Sequence, residues 1–185
     1  GMALLRYTAI TSLDGYVNDA DGGFSWAAPS DELHQVVNDQ EREVGTYLLG
    51  RRLYETMRHW ETAPGDVPGP MGEYARIWRG ADKVVYSTTL EAVTTARTTL
   101  AASFDPVVVE ALKASSVLDV SVGGPTLAAE AFRADLVDEV HLFLHPVLVG
   151  GGTRALPDDV HASLDLVAVD RIGEVVHLHH RVRRS

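Results

Sequence analysis

Two glycine-containing segments of this chain have residue types that suit phosphate binding. In the first, Gly123, Gly124, Pro125 and Thr126 follow an apolar, β-branched run and precede apolar residues at helical spacing. Glycine lets the backbone approach a ligand closely, proline suits a first helical position, and the free N–H groups of a helix start favour an anion. The pattern predicts a strand, a phosphate-binding turn and a helix. The same residues also suit a plain tight turn at a helix start.

The second segment repeats this arrangement and adds two positive charges. A short apolar strand over residues 46–49 ends at Gly50, and Arg51 and Arg52 begin the helix that follows. Guanidinium groups pair with phosphate oxygens through paired hydrogen bonds. Two such turns in one domain predict a cofactor with more than one phosphate, held outside the ends of the strands.

Other kinds of site find less support in the sequence. The chain has no Gly-x-Ser-x-Gly nucleophile motif, no P-loop lysine and no complete Gly-x-Gly-x-x-Gly fingerprint. His177 and His179 share a face of a predicted strand, as do His141 and His145, but neither pair is accompanied by a carboxylate cluster or a cysteine. We interpret these histidines as packed or surface residues and predict no metal site.

Three carboxylates are candidates for proton transfer beside the cofactor. Asp14 follows the first predicted strand, and Asp31 and Glu32 stand in the first turn of the first predicted helix. Asp31 also has a structural explanation, because a carboxylate at a helix N-terminus interacts favourably with the helix dipole. We therefore name Asp14 and Asp31 as the catalytic candidates.

Length, charge and composition limit the class of protein. The 185 residues suit one domain over 1–185 with a sizeable core, and we interpret Gly1, ahead of Met2, as a cloning scar. A net charge of −10 opposes nucleic-acid binding. No apolar run of about 18 residues predicts a membrane span, and no signal peptide is recognisable. With no cysteine in the chain, a reducing cytoplasm is the expected location.

The elements that must position the phosphate turns alternate between strand and helix. A first strand, over residues 4–10, leads into a long Gly-rich loop that ends at Trp26, and we interpret this loop as a lid or a wall of the site. Ser30 then caps the first helix. Further strands are predicted over 83–87, 92–100, 117–122, 136–149, 164–169 and 175–182. Eight strands and about four flanking helices predict an α/β fold with a mixed, mostly parallel sheet and an antiparallel C-terminal hairpin.

Two motifs, over residues 50–55 and 122–127, resemble the dihydrofolate reductase-like superfamily. The closer similarity is to the C-terminal reductase domain of the bifunctional riboflavin-biosynthesis deaminase-reductase, which residues 12–15, 137–140 and 146–152 also resemble. These motifs occur in the family's order, and the resemblance extends from Leu4 to about Val182. It implies a three-layer fold and an NADPH-dependent oxidoreductase that reduces a C=N or C=O group of a small, heterocyclic substrate.

The resemblance also implies which residues bind NADPH. Its phosphates would contact the first turn, its adenosine 2′-phosphate the end of the next strand, and its pyrophosphate and nicotinamide ribose the second turn. In this chain those positions are Gly50, Arg51, Arg52 and Leu53, then Ser87 and Thr88, then Gly123, Gly124, Pro125, Thr126 and Leu127. A cis peptide bond between Gly123 and Gly124 is a further expectation from the superfamily.

The substrate and the assembly are less defined. The activity would resemble 5-amino-6-(5-phosphoribosylamino)uracil reduction, and the alternatives are dihydrofolate reduction or NADPH binding without turnover. Asp31 lies near the place of the folate reductases' acid, but Phe143 stands near the place of its hydroxyl partner, so the match to that proton relay is incomplete. The resemblance suggests a homodimer. A surface for it is offered by Leu142, Leu144, Val147 and Val149, although a buried strand would show the same pattern.

Overall fold

One eight-stranded sheet forms the centre of the structure, a computed structural model that describes residues 2–184. Two further strands, β2 and β8, pair with each other outside this sheet. The strands are β1 (Leu5–Ser12), β2 (Tyr16–Asn18), β3 (Val44–Gly50), β4 (Asp82–Tyr86), β5 (Thr98–Ala101), β6 (Asp119–Gly123), β7 (Glu139–His145), β8 (Thr153–Arg154), β9 (Leu164–Ile172) and β10 (Val175–Val182). The α-helices are α1 (Asp31–Glu41), α2 (Arg51–Met57), α3 (Pro70–Gly80), α4 (Pro106–Ser115) and α5 (Pro125–Arg133).

The order of strands in the main sheet is β5-β4-β3-β6-β1-β7-β10-β9. The first six strands run parallel to one another, whereas β10 runs antiparallel to both β7 and β9. This arrangement confirms the predicted α/β class, the mostly parallel sheet and the C-terminal hairpin. The described residues form five α-helices, one more than the predicted number.

Capping residues explain where several helices begin. The Ser30 hydroxyl accepts a hydrogen bond from the Leu33 backbone N–H at the start of α1, as predicted. At α4 the Asp105 carboxylate accepts from the Val107 N–H. Proline occupies the first position of α3, α4 and α5, where its missing N–H removes no helical hydrogen bond.

Helices cover both faces of the sheet and make a three-layer structure. On one face, α4 and α5 pack Val109, Leu127 and Ala131 against the central strands. On the other face, Leu33 of α1 packs against Phe143 of β7, and α2 and α3 cover β3 and β4. The sheet therefore holds its parallel strands between two apolar layers, which leaves the ends of the strands available for ligands.

The irregular segments differ from prediction in three places. The strand predicted over 92–100 is wrong for most of its length, because the chain turns before Arg97, which has φ 56°, and only β5 joins the sheet. The strand predicted over 136–149 is limited to β7, since Pro146 lacks the N–H that would continue the ladder. No cis peptide bond occurs among residues 2–184, so the cis bond expected between Gly123 and Gly124 is wrong for this structure.

The helices are short compared with the thickness of a membrane. The longest α-helices, α1 and α3, each have 11 residues. A membrane-spanning helix needs about 20 apolar residues. Over residues 2–184, no helix meets the length and hydropathy of a membrane span.

Candidate functional site

The two predicted phosphate turns lie side by side at the carboxyl ends of two interior strands of the sheet. β3 and β6 are neighbouring parallel strands, and Leu49, the residue before the end of β3, pairs with Gly123, the last residue of β6. Gly50 then precedes α2, and Gly124, with φ 94°, is the N-cap of α5. The structure thus brings together two segments that are more than 70 residues apart in the sequence.

The glycines at these turns leave open space above the strand ends. A Cβ atom added to Gly50 or to Gly124 would meet no other atom within 4 Å. Gly123 is different, because its added Cβ would lie 2.4 Å from Cδ2 of Leu53. Leu53 therefore packs beneath the second turn, while the other two glycines border a cradle that a ligand's phosphate groups can enter.

Arg51 belongs to a polar cluster that joins the ends of β3 and β4. Its Nε donates to Glu55 Oε1 at 2.7 Å, and its Nη1 donates to Thr89 Oγ1 at 2.5 Å. The Ser87 hydroxyl accepts from the Thr89 and Leu90 backbone N–H groups at 3.2 and 3.0 Å. Guanidinium and hydroxyl groups are side chains that can hydrogen-bond a phosphate group.

Arg52 has a different environment from its neighbour. Within residues 2–184 its guanidinium has no hydrogen-bond or ion-pair partner, and it lines a surface cavity of about 490 Å³. The other walls are the segments 18–22 and 152–153. A cavity of this size suits a small molecule, and its lining carries the Arg52 guanidinium together with the carboxylates of Asp19 and Asp21.

The segments on either side of this cavity are joined to each other. The Asn18 side-chain oxygen accepts from the Thr153 N–H at 3.1 Å, and β2 pairs with β8. A Cβ on Gly152, which has φ 138°, would lie 2.0 Å from the Asn18 carbonyl oxygen. The predicted loop up to Trp26 is thus a wall of the cavity that is attached to the segment after β7.

Asp14 reinforces this attachment through its carboxylate. It accepts hydrogen bonds from the Ser12 hydroxyl at 2.6 Å, from the Gly150 N–H at 2.9 Å and from the Val149 N–H at 3.2 Å. The Ser12 hydrogen bond, followed by that of Gly150, lowers the pKa of Asp14. A carboxyl group that stays ionised at neutral pH is a poor proton donor, so this geometry favours a positioning role for Asp14.

The remaining predicted residues differ in exposure. Asp31 is the exposed first residue of α1, and among the described residues its carboxylate has no hydrogen-bond partner. Thr88 and Thr126 are exposed beside the two turns, whereas Leu127 is buried in the core beneath α5. The hydroxyl groups are therefore available to a ligand, and Leu127 offers only its backbone N–H.

Sequence reasoning missed a pair of aromatic side chains at the end of β7. The rings of His145 and Trp26 meet edge to face with centroids 5.8 Å apart, and Ser12 is the strand neighbour of His145. His145 Nε2 and Trp26 Nε1 are buried, and neither has a hydrogen-bond partner within the described part of the chain. Burial lowers the pKa of His145. The sequence does place a histidine just before Pro146, at the end of a predicted strand, and this position could have marked His145 as a candidate site residue.

The family comparison covers almost the whole chain. The family model described as "RibD C-terminal domain" matches residues 3–178. No curated protein sequence matches the chain significantly.

Several solved structures share the fold at low sequence identity. A protein from Shewanella sp. PV-4, provisionally named a riboflavin biosynthesis protein, has a TM-score of 0.76 and 18% identity, with 98% of this chain and 99% of that chain covered. The diaminohydroxyphosphoribosylaminopyrimidine deaminase/5-amino-6-(5-phosphoribosylamino)uracil reductase from Thermotoga maritima has a TM-score of 0.69 and 17% identity, and the match covers 98% of this chain and 57% of that one.

A third match extends to the folate reductases. The dihydrofolate reductase from Enterococcus faecalis, in complex with NADP(H) and an inhibitor named RAB-propyl, has a TM-score of 0.63 and 14% identity, with 98% of this chain and 97% of that chain covered. These structures share the eight-stranded fold, and the family model covers almost all of it. The chain therefore belongs to the RibD C-terminal domain family and has a dihydrofolate reductase-like fold.

Proposed function

We propose that this protein is an NADPH-dependent reductase that acts on a C=N or C=O group of a small heterocycle, as 5-amino-6-(5-phosphoribosylamino)uracil reductases do. One observation carries the proposal. Two glycine turns stand next to each other at the ends of β3 and β6, with open space above Gly50 and Gly124 and two arginines at their edge. A cofactor with several phosphates matches this combination of open backbone and positive charge.

The residues present fit such a cofactor. The cradle above Gly50 and Gly124 is a space that side chains at those positions would fill. The N–H groups of the first turn of α5 have no side-chain cap, which leaves them available to an anion. Arg52 would hold the pyrophosphate from the other side. Arg51, with Ser87 and Thr89, would bind the 2′-phosphate that distinguishes NADPH from NADH.

The reaction divides between the cofactor and the chain. When bound, NADPH supplies a hydride from its nicotinamide ring. The walls of the cavity, attached to each other through β2 and β8, would orient the substrate. His145 lies outside this lining, and its Nε2, which has no partner among the described residues, would hydrogen-bond the substrate once the ring of Trp26 moves aside. Asp14 keeps the two walls in place.

The experiment that tests the proposal is a binding titration with NADPH and, separately, with NADH, followed by calorimetry. We expect micromolar binding of NADPH and much weaker binding of NADH. The Arg51→Ala/Arg52→Ala double variant should lose NADPH binding. As a matched control, Arg183→Ala removes an arginine of the C-terminal segment, where it pairs with Asp165, and should bind NADPH normally.

Turnover is then measured with the reduced cofactor and candidate substrates. We expect oxidation of NADPH with an aminopyrimidine ribose derivative, whose sugar carbon can accept the hydride, and little or none with dihydrofolate. If the protein binds neither nicotinamide cofactor, the proposed function is wrong. Binding of NADPH without turnover of any pyrimidine or pteridine would instead support the non-catalytic alternative.

A further inference from the structure

A second group of polar side chains lies at the opposite end of β7 from the glycine turns. Glu139 and His141 project from the first half of β7, and His179 is the neighbour of His141 on β10. The side chains of Glu139 and His141 are each 6% exposed, and that of His179 is 19% exposed. Three metal-ligating side chains are therefore buried together on two adjacent strands, on the sheet face that α1 covers.

Two ring nitrogens in this group have no hydrogen-bond partner. Nε2 of His141 and Nε2 of His179 are both buried, and no donor or acceptor within residues 2–184 satisfies either of them. Both lie near the same carboxylate oxygen, Oε2 of Glu139, at 3.6 and 3.1 Å, without forming a hydrogen bond to it. Buried polar atoms are rarely left without a partner, so these two nitrogens need an explanation.

The surrounding hydrogen bonds indicate where the proton of His141 lies. Gln40 Nε2, which can only donate, lies 3.3 Å from His177 Nε2, so in this orientation of the amide the His177 nitrogen accepts. His141 Nδ1 lies 2.9 Å from the same nitrogen and must be the N–H donor. Nε2 of His141 therefore lies buried beside the Glu139 carboxylate with no hydrogen bond between them, and a metal cation bound by both groups would satisfy them.

We propose that Glu139, His141 and His179 form a binding site for a zinc ion. Two imidazole nitrogens and one carboxylate are a ligand set that zinc uses in proteins. Bonds of about 2.0–2.1 Å in a tetrahedron place ligand atoms roughly 3.3 Å apart. The distances of 3.1 and 3.6 Å to Glu139 bracket that value.

The rings of His141 and His179 must move before both can bind one zinc ion. The three ligand atoms lie within 4.8 Å of one another, and the rings of His141 and His179 are stacked with centroids 4.0 Å apart and planes 18° apart. The Nε2 edges must tilt towards each other to share one ion. His179 is the most exposed of the three side chains, and its movement would make this adjustment.

A second layer of side chains supports the ligands. His177 accepts a hydrogen bond from Nδ1 of His141 at 2.9 Å, whereas Nδ1 of His177 lies 3.6 Å from Asp170 Oδ2, beyond hydrogen-bond distance. Metal-bound histidines commonly have a hydrogen bond of the first kind, which fixes the tautomer that binds the ion.

The site would join strands rather than take part in reduction. Its ligands connect β7 to β10, at the end of β7 that is remote from His145 and the glycine turns. Zinc should therefore raise the stability of the C-terminal hairpin without changing NADPH binding, and the inference does not depend on the proposed function.

The test uses full-length protein freed of metal with a chelator and then titrated with ZnCl₂. Calorimetry should show one zinc per chain, and the melting temperature should rise as zinc is added. Cobalt(II) in place of zinc should give the visible absorption of a four-coordinate site. His179→Asn should weaken zinc binding roughly a hundredfold or more, given that even supporting residues change metal affinity 10–100-fold.

Two further variants make the result decisive. His161→Asn removes an exposed histidine from a loop and should bind zinc as the wild type does. Glu139→Gln keeps the shape of the side chain and should lose binding. If the folded wild-type protein binds no zinc, or if His179→Asn and Glu139→Gln bind it equally well, the proposal is overturned.

Discussion

Adjacent arginines with the same charge have different surroundings in this protein. Arg51 is held by Glu55 and Thr89 beside the end of β4, whereas Arg52 has no partner among the described residues and lines the cavity. The proposed function assigns the 2′-phosphate to the first arginine and the pyrophosphate to the second. The two side chains should therefore contribute to different properties of cofactor binding.

Single substitutions should separate these contributions. Arg51→Ala should weaken NADPH binding roughly tenfold to a hundredfold and leave NADH binding nearly unchanged, because a charged hydrogen bond contributes about 1.5–3 kcal/mol. Arg52→Ala should weaken the binding of both cofactors by similar factors. Titrations of each variant with each cofactor give the four dissociation constants. Equal effects of Arg51→Ala on NADPH and NADH would contradict the assignment.

His145 should affect turnover and not cofactor binding. His145→Phe keeps an aromatic ring against Trp26 but removes Nε2, which is buried without a protein partner. We expect kcat/KM to fall roughly tenfold or more, with the dissociation constant for NADPH unchanged. Steady-state kinetics and a binding titration give the two quantities. Trp26→Phe is the companion variant, and a normal kcat/KM in both would exclude this pair from the substrate site.

The Asp14 carboxylate should make the stability of the protein depend on pH. Its pKa is lowered in the folded state, by the Ser12 hydroxyl first, so its contribution is present above the unfolded pKa of about 4 and is lost as the pH falls through the folded value. Asp14→Asn lacks this contribution. The wild type should melt at a higher temperature than the variant at pH 7, and the difference should shrink at pH 3. A difference that does not change with pH would show that ionisation plays no part.

Some site residues could be identified from sequence and others could not. The two glycine turns were predictable because glycine, proline and arginine have distinctive roles within a few consecutive residues. Glu139 and His179 are 40 residues apart in the sequence and meet only because β7 and β10 pair. The contact of Trp26 with His145 likewise depends on how a loop folds back, which local patterns do not determine.

Within the helices, glycine is required for packing at one position of α3 and not at another. A Cβ on Gly72 would lie 1.9 Å from the Val67 carbonyl oxygen, which is backbone and cannot easily move. A Cβ on Gly80, in the same helix, would meet no atom within 4 Å. Alanine normally favours a helix over glycine by about 1 kcal/mol, so the two positions should respond in opposite directions.

This contrast gives a test by unfolding. Gly72→Ala should lower the free energy of unfolding by about 2–3 kcal/mol, because the new methyl group overfills a buried contact. Gly80→Ala, its matched control, should be neutral or stabilising by up to about 1 kcal/mol. Urea unfolding of both variants measures the two values. A stabilising effect of Gly72→Ala would mean that the segment over residues 65–67 moves aside at little cost.

At the scale of elements, capped helices were easier to predict than strands. α1 begins after Ser30, as predicted, and Asp105 caps α4 in the same way, because capping depends on neighbouring residues alone. The strand predicted over 92–100 had suitable β-branched residues, but a strand also needs a partner along its whole length. Only residues 98–101 pair with a neighbouring strand, β4.

An apolar strip on the outer strands of the sheet is exposed. Leu142 of β7, Leu178 of β10 and Val169 of β9 are neighbours on one face, and β9 also exposes Leu166 there. Val169 is 56% exposed and Leu166 is 59% exposed. Exposed apolar patches on a sheet commonly mark interfaces between proteins. We propose that a second copy of this chain covers the strip, in a dimer that includes the expected residue Leu142.

The dimer is tested by the mass in solution. Light scattering should give twice the chain mass of 20.1 kDa for the wild type and a single chain mass for Leu166→Lys/Val169→Lys. The control, Val107→Lys/Val108→Lys, places the same charges on two exposed valines of α4 and should remain dimeric. A wild-type protein that is monomeric at high concentration would contradict the proposal.

The position of β1 in the middle of the sheet affects how the chain folds during synthesis. β1 is synthesised before the other strands of this sheet; among the described strands it pairs only with β6 and β7, and the Leu4 N–H bonds to Asp119, 115 residues later. Until those strands have been made, the residues of β1 that become buried, such as Leu5 and Tyr7, lack their partners in a state open to aggregation. Ribosome-bound fragments that end before β7 should therefore lack the native sheet.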